Sequence, residues 1–275
     1  MAESCSTCFH RCRLEEGQAG FCRARVNRDG HIVPSNYGRI TALALDPIEK
    51  KPLARFLPGS RILSLGSWGC NMRCAFCQNY HISQFGDEEL RTEPLSPEEL
   101  VNQASALQSR GNIGVAYTYN EPLIAWEYVR DCAKLVHEAG MKNVIVTNGC
   151  VLPPVLEAVL PFTDAMNIDL KCFSASSYSK LGGDFESVKT AIALCHGRCH
   201  LELTTLIVPG FNDGEEEMAE EAAWIASIDR GIPLHVTRFF PRWQMTDRAS
   251  TPVARLYRLA DVAKRELTDV LVGNV

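Results

Sequence analysis

Gly66-Ser67-Trp68-Gly69-Cys70-Asn71-Met72-Arg73-Cys74-Ala75-Phe76-Cys77 follows at once on Arg61-Ile62-Leu63-Ser64-Leu65, an aliphatic run with the length and composition of a buried strand. Three thiols at C-x3-C-x2-C in one short loop can converge on a single inorganic centre, with Gly66 and Gly69 easing a tight backbone path. The count is the informative feature. A structural zinc ion or an electron-transfer cluster normally takes four protein ligands, whereas this loop offers three thiols and no His or Asp spaced to complete the set. A [4Fe-4S] cluster held by Cys70, Cys74 and Cys77 keeps one iron open to an external ligand, and an open metal position is a catalytic feature. The competing readings are buried structural cysteines, or a zinc site completed from elsewhere, with His81 the nearest donor.

Outward from this loop, short aliphatic runs alternate with segments of helical period. Strands are expected at 61–66, 113–117, 143–147, 164–169, 201–207 and 234–239. Ala125, Tyr128, Val129, Cys132, Leu135, Val136 and Ala139 recur at three- and four-residue steps, as do Val253, Leu256, Tyr257, Ala260, Ala263 and Leu267; both faces are expected to pack on a sheet, with Cys132 as a core thiol. Ser96-Pro97-Glu98-Glu99 carries the cap, the proline and the third-position Glu of a helix start, and Asn212 or Asp213 is the expected cap of the acidic helix that follows. Six βα units in about 210 residues are too few for a closed eight-unit barrel and suit an open one. The expected fold class is α/β: a (β/α)6 partial TIM barrel over residues 61–275, with a small Cys-rich extension over residues 1–60.

That extension is punctuated by Gly30, Pro34, Gly38, Pro47, Pro52, Pro58 and Gly59 and has little core of its own. It carries Cys5-x2-Cys8-x3-Cys12-x9-Cys22, with His10 inside the set. Four thiols within 18 residues can form a complete tetrathiolate shell, for zinc or for an auxiliary iron-sulfur cluster. The whole chain has 275 residues, 12 of them cysteine, and neither a basic-then-apolar leader nor an apolar run long enough for a membrane span. A cytoplasmic protein without membrane contact is expected, and in a reducing compartment grouped thiols point to metal before disulfides. The net charge of −5 supplies no bulk attraction for nucleic acid.

Cys70, Cys74, Phe76 and Cys77 resemble the C-x3-C-x-aromatic-C hallmark of the radical S-adenosylmethionine (radical SAM) superfamily. Asp46-Pro47-Ile48-Glu49-Lys50-Lys51-Pro52-Leu53, Cys77-Gln78-Asn79 with Ile82-Ser83-Gln84, Tyr119-Asn120-Glu121-Pro122 and Arg238-Phe239-Phe240-Pro241 are similar, within it, to the AmmeMemoRadiSam-system and pyruvate formate-lyase-activating-enzyme-like group. The resemblance implies an oxidoreductase with a [4Fe-4S] cluster and S-adenosyl-L-methionine, reductive cleavage of that cofactor to a 5′-deoxyadenosyl radical, and hydrogen abstraction from a substrate. It also implies an electron donor such as flavodoxin or ferredoxin, and an activase-like reaction on a protein partner. A small molecule or RNA as substrate, or a non-enzymatic iron-sulfur protein, are the alternatives.

The same resemblance implies cofactor contacts at the strand ends. Glu121 corresponds to the acidic residue of the family's Gly-Gly-Glu motif, with Tyr119 and Asn120 in place of the glycines, although Asn120-Glu121-Pro122 is also a plain helix start. Thr147 and Asn148 would lie by the methionine and ribose, Asn148 serving equally as a turn residue. Asp169 and Lys171 would face the zwitterionic methionine end, or form an ordinary ion pair. Phe76 and Val208 would flank the adenine. His235, Arg238, Arg242 and Trp243 are expected to reach the mouth and hold substrate.

Overall fold

The computed structural model describes residues 1–275, the side chain of Asp87 excepted. One sheet organises the chain. Its eight strands are β1 (Ala42–Pro47), β2 (Arg61–Gly66), β3 (Asn112–Tyr117), β4 (Lys142–Thr147), β5 (Ala165–Asp169), β6 (His200–Ile207), β7 (Leu234–Arg238) and β8 (Val270–Gly273), and they neighbour one another in chain order. β2 to β8 run parallel, and β1 pairs antiparallel with β2. Helices α2 (Pro97–Ala106), α3 (Trp126–Glu138), α4 (Pro153–Val159), α6 (Phe185–Cys195), α7 (Glu215–Ile228) and α8 (Val253–Ala263) lie in the connections, with the shorter α1 (Tyr80–Ser83) and α5 (Ala175–Lys180).

The six expected strands are all present, five of them displaced by one residue at an end. Two further strands enlarge the sheet. β8 is a four-residue stretch, too short to carry a periodic signal alone, and β1 comes from the region before residue 60, so the sheet continues across that position.

Alternation along the strands sorts two cores. Leu63, Leu65, Val115, Ile145, Met166, Ile168, Leu203 and Val236 face the helices and join the large core. Ile62, Ala116, Val144 and Ala165 face the lumen and close on Ile48 and Leu53, from the segment that joins β1 to β2. That segment crosses the barrel floor. Its Ala54 and Arg55 N–H groups donate to the buried Glu202 at 2.9 and 2.7 Å, and Arg55 Nε pairs with Asp269 at 2.5 Å, beside β8.

Helix starts follow local chemistry. Ser96 and Glu99 form the full capping box of α2, with Glu99 N–H on Ser96 Oγ at 3.2 Å and Ser96 N–H on Glu99 Oε2 at 2.8 Å. Helix α7 is capped by Gly214 instead of Asn212 or Asp213. Asn212 is used elsewhere: its Oδ1 accepts Val208 N–H at 2.7 Å and its amide donates to Lys171 O and Leu206 O, while Asp213 accepts Gly210 N–H at 2.9 Å. On α8 the buried row is Leu256, Leu259, Ala260 and Ala263, so Val253 and Tyr257, expected inside, point outward at 37% and 49% exposure. On α3, Cys132 is buried as expected, but Ala139 ends exposed just past the helix.

Residues 1–41 form small antiparallel pieces: Glu3–Ser4 with Arg13–Leu14, and the hairpin Arg25–Arg28 with His31–Pro34. Its Asp29-Gly30 turn has φ of 53° and 75°, the left-handed pair a two-residue hairpin requires. Their core, Cys22 and Ala24, is completed by Trp68 and Ile124 from the barrel. Buried Arg25 fixes the hairpin to α3 through Glu127 at 2.7 Å.

Candidate functional site

The loop after β2 lies at the carboxyl end of the sheet. Cys74 is buried, Cys70 and Cys77 half-buried, and all three thiols are free. Cys70 Sγ accepts Met72 N–H at 3.3 Å and the Asn148 amide at 3.6 Å, and Cys77 Sγ lies 3.1 Å from Ser83 Oγ. Burial pushes the Cys74 thiol up to about 12, and nearby Lys171 counteracts. Burial likewise raises Cys70, with Glu121 and Cys74 adding to it. Neutral thiols in this state release protons on binding metal.

The residues expected around this loop do gather at the neighbouring strand ends. Glu121, past β3, is buried and accepts Thr147 Oγ1 at 2.6 Å, Asn148 N–H at 2.8 Å and Leu123 N–H at 3.1 Å. Burial pushes its carboxyl up to about 7, the three donors pulling the other way. Glu121 is thus both the cap of the short turn Pro122–Ala125 and a neighbour of Cys70. Asn148, past β4, joins the cysteine loop directly, its amide lying 2.8 Å from Asn71 Oδ1. Past β5, Lys171 Nζ pairs with Asp169 at 2.8 Å. Burial alone would lower that ammonium, but Asp169, Cys74 and Cys77 hold it above its ordinary value. Phe76 is buried edge-on to Phe211, with ring centroids 6.2 Å apart, and Val208 is buried past β6.

The proposed substrate cluster of His235, Arg238, Arg242 and Trp243 does not form. His235 lies near the start of β7, where its Nε2 donates to Glu202 on the barrel floor at 2.6 Å. Arg238 Nε donates to Thr251 O at 2.9 Å, and Arg242 is exposed. Trp243 instead stacks on Tyr80 at 5.8 Å, and Gln244 N–H reaches Ala75 O at 3.1 Å, so the stretch after β7 straps the cysteine loop. His81 is exposed and lines an outer cavity of about 420 Å³ with Asn79 and Tyr119.

A second polar group forms around Tyr119. Tyr119, at φ 71°, reaches Asp46 Oδ2 through its hydroxyl at 2.6 Å. The buried Lys51 ammonium lies 2.9 Å from the same oxygen and 4.6 Å from the Tyr119 ring centre. Burial pushes the Asp46 carboxyl up, yet Lys51, Tyr119 and Lys50 together hold it well below the usual range. The paired charges of Asp46-Pro47-Ile48-Glu49-Lys50-Lys51 were the available signal.

The four N-terminal cysteines also collect. Cys5 N–H donates to Cys12 O at 2.9 Å and Phe21 N–H points at Cys12 Sγ at 3.4 Å. Burial pushes Cys8 up to about 12, and Cys22, Cys5 and Cys12 each add to the rise.

The model of the Radical SAM superfamily matches residues 67–222 of this sequence. The chain belongs to the radical SAM superfamily. Radical SAM proteins use a [4Fe-4S] cluster and S-adenosylmethionine, and the sulfur-rich donor set described above fits such a cluster. The uncharacterized protein MJ0808 of Methanocaldococcus jannaschii is 38% identical over 98% of this chain and 81% of its own length. Pyruvate formate-lyase 1-activating enzyme of Escherichia coli is 27% identical over 58% of this chain and 65% of that enzyme. The 7-carboxy-7-deazaguanine synthase of Thermococcus kodakarensis is 25% identical over 63% of this chain and 72% of the synthase. Among solved structures, QueE from Escherichia coli shares the fold with a TM-score of 0.55 at 15% identity, covering 89% of this chain and 95% of QueE. No described helix is long and apolar enough to cross a membrane.

Proposed function

We propose that Cys70, Cys74 and Cys77 hold the [4Fe-4S] cluster by three of its irons and that the chain is an activase-like enzyme removing hydrogen from a protein partner. One observation carries the ligand assignment. The nearby carboxylates are engaged elsewhere, Glu121 by Thr147, Asn148 and Leu123 and Asp169 by Lys171, and the remaining polar groups beside these sulfurs are the Met72 N–H, the Asn148 amide, the Ser83 hydroxyl and the Lys171 ammonium. None of the latter is a usual ligand of iron or zinc. They suit sulfur anions and leave the fourth iron to an incoming ligand.

When bound, the cluster supplies one electron that cleaves S-adenosylmethionine to methionine and a 5′-deoxyadenosyl radical. The chain's own residues position that cofactor. Glu121 keeps acceptor capacity beyond its three donors, since a carboxylate offers about four lone-pair sites. It therefore suits the methionine ammonium. Thr147 and Asn148 hold Glu121 in place, and Asp169 with Lys171 offers a complementary pair to the zwitterion. Phe76 and Val208 offer apolar walls for the adenine.

Similarity to the pyruvate formate-lyase 1-activating enzyme supports a protein substrate, with flavodoxin or ferredoxin as electron source in the cytoplasm. The Trp243–Tyr80 stack and the Gln244 N–H bond to Ala75 O hold the stretch after β7 against the cysteine loop, which favours, as second reading, a small molecule enclosed beneath it. Anaerobically reconstituted protein is expected to release 5′-deoxyadenosine on reduction; an intact cluster with no release refutes the enzyme. A radical signal on mixing with a glycyl-radical partner separates the two substrate classes.

A further inference from the structure

We propose that Cys195 and Cys199 form a reversible dithiol–disulfide pair, oxidised by low-molecular-weight disulfides and reduced by dithiols. The pair lies at the amino end of β6, away from the cysteine loop, and depends on none of the assignments above.

Helix α6 ends at Cys195 and β6 begins at His200, so His196-Gly197-Arg198-Cys199 alone joins them. That connection doubles back. Arg198 N–H donates to Cys195 O at 3.1 Å, and Gly197 at φ 72° supplies the left-handed step. Cys199 is thereby returned to the helix end, its Sγ 3.8 Å from Cys195 O. There the two thiols share a hydrogen bond. A disulfide forms only where both side chains point at one another, and these do.

The two thiols are unequal. Cys199 is half-buried and open on one side, whereas Cys195 is fully buried. The Cys195 S–H has two acceptors in reach, Met166 Sδ at 3.6 Å and the Cys199 sulfur. Turned to the second, it holds the Cys199 thiol below its ordinary value; burial works against it, Arg198 with it, and Asp164 against it. The same bond, together with burial, raises the Cys195 thiol. An accessible thiolate beside a resolving thiol is the arrangement by which redox-sensing cysteines act. The other cysteines outside the cysteine loop and the N-terminal set, Cys132, Cys150 and Cys172, are buried and raised by burial. Their hydrogen-bond partners are Tyr128, Asp184 O and Ser174 O, not another thiol.

In oxidation, the Cys199 thiolate attacks one sulfur of the incoming disulfide and expels a thiolate, leaving a mixed disulfide. The Cys195 sulfur then attacks Cys199, the bond to the small molecule breaks, and the Cys195 proton leaves on a thiolate product. Two protein sulfurs are oxidised, and one small disulfide is reduced to two thiols. A dithiol reverses both steps. The closed bond pins the end of α6 to the residue that enters β6.

The test treats the full folded chain anaerobically with glutathione disulfide, followed by alkylation, trypsin and peptide mapping by mass spectrometry. Trypsin cuts after Lys189, Arg198 and Arg230, so the two cysteines fall on separate peptides, 190–198 and 199–230. The oxidised protein is expected to give these two peptides joined, and dithiothreitol to part them. Two alkylated peptides, glutathione left on wild-type Cys199, a link from either peptide to a third cysteine, or a link formed only after denaturation overturns the proposal. Single variants read the order of attack. C195S is expected to retain glutathione on Cys199, and C199S to leave Cys195 without it; the reverse pattern overturns Cys199 as the attacking thiol. Should a variant not fold, the wild-type map decides alone.

Discussion

The molecule holds two thiol sets that meet at one seam and are built by opposite means. Cys70, Cys74 and Cys77 sit in one continuous loop whose position is set by the end of a parallel strand. Cys5, Cys8, Cys12 and Cys22 are brought together by two-residue strands, by Arg11 at φ 43°, and by burial against Trp68 and Ile124 of the barrel. The three-thiol loop is a fixed outlet of a sheet with a large core. The four-thiol segment has almost no core and depends on what it touches. Small segments of this kind ordinarily draw stability from a metal or a covalent link, and here the barrel supplies part of it.

Removing one thiol from the loop should have the largest effect. Cys74→Ala is expected to abolish 5′-deoxyadenosine release while metal at the N-terminal set persists, checked by product analysis beside metal content. Loss of both metals together would mean that the sets are one folding unit. Gly69→Ala attacks the seam itself. Gly69 has φ 86°, and the new Cβ would meet Cys22 O at 2.4 Å, so the backbone must shift. We expect a loss of about 3 kcal/mol in denaturant melts, together with loss of N-terminal metal. An unchanged melt would show that the two regions slide freely.

Glu202→Gln probes how the segment 48–58 is tied to the barrel. Burial pushes the Glu202 carboxyl up, but His200, His235, Ala54 N–H and Arg55 N–H hold it down at about 2. A depressed carboxyl contributes stability in full above its unfolded value and loses it as pH falls through the folded one. The variant should therefore be about 2–3 kcal/mol less stable at pH 7, with the gap closing between about pH 4.5 and 2. A gap independent of pH would remove the carboxylate from the account. The smallest effect is expected from Tyr80→Ala, which unstacks Trp243: about 1 kcal/mol in thermal melts. Faster oxygen damage to the loop cluster, with the N-terminal centre unaffected, would sharpen the contrast between a strapped and an unstrapped site.

Legibility differed in the same way. The strand before Cys70, the capping box at Ser96 and the buried Cys132 were readable because each depends on neighbours close in the chain. Glu121, Thr147, Asn148, Asp169 and Lys171 were legible as strand-end residues, but their mutual bonds were not. The misplacement of His235 came from depth: a residue two places into β7 faces the floor, and a composition pattern does not report depth. Asn212 was lost as a cap because its amide serves Lys171 O, a partner 41 residues away. The bond from Tyr119 to Asp46, and the place of Lys51 over its ring, were not legible because those partners come from before the first barrel strand.

The amino-acid sequence alone determined the chemistry of this protein: three thiols in one loop after an aliphatic strand, four more near the start, and a succession of βα units. These are properties of spacing and side-chain type, fixed along the chain. Only the tertiary structure decided that the two thiol sets touch. Contacts such as Gly69 with Cys22, or Arg73 with Phe21, join residues about fifty apart in the chain. They exist because the sheet and the N-terminal segment share one buried surface, which no local pattern encodes.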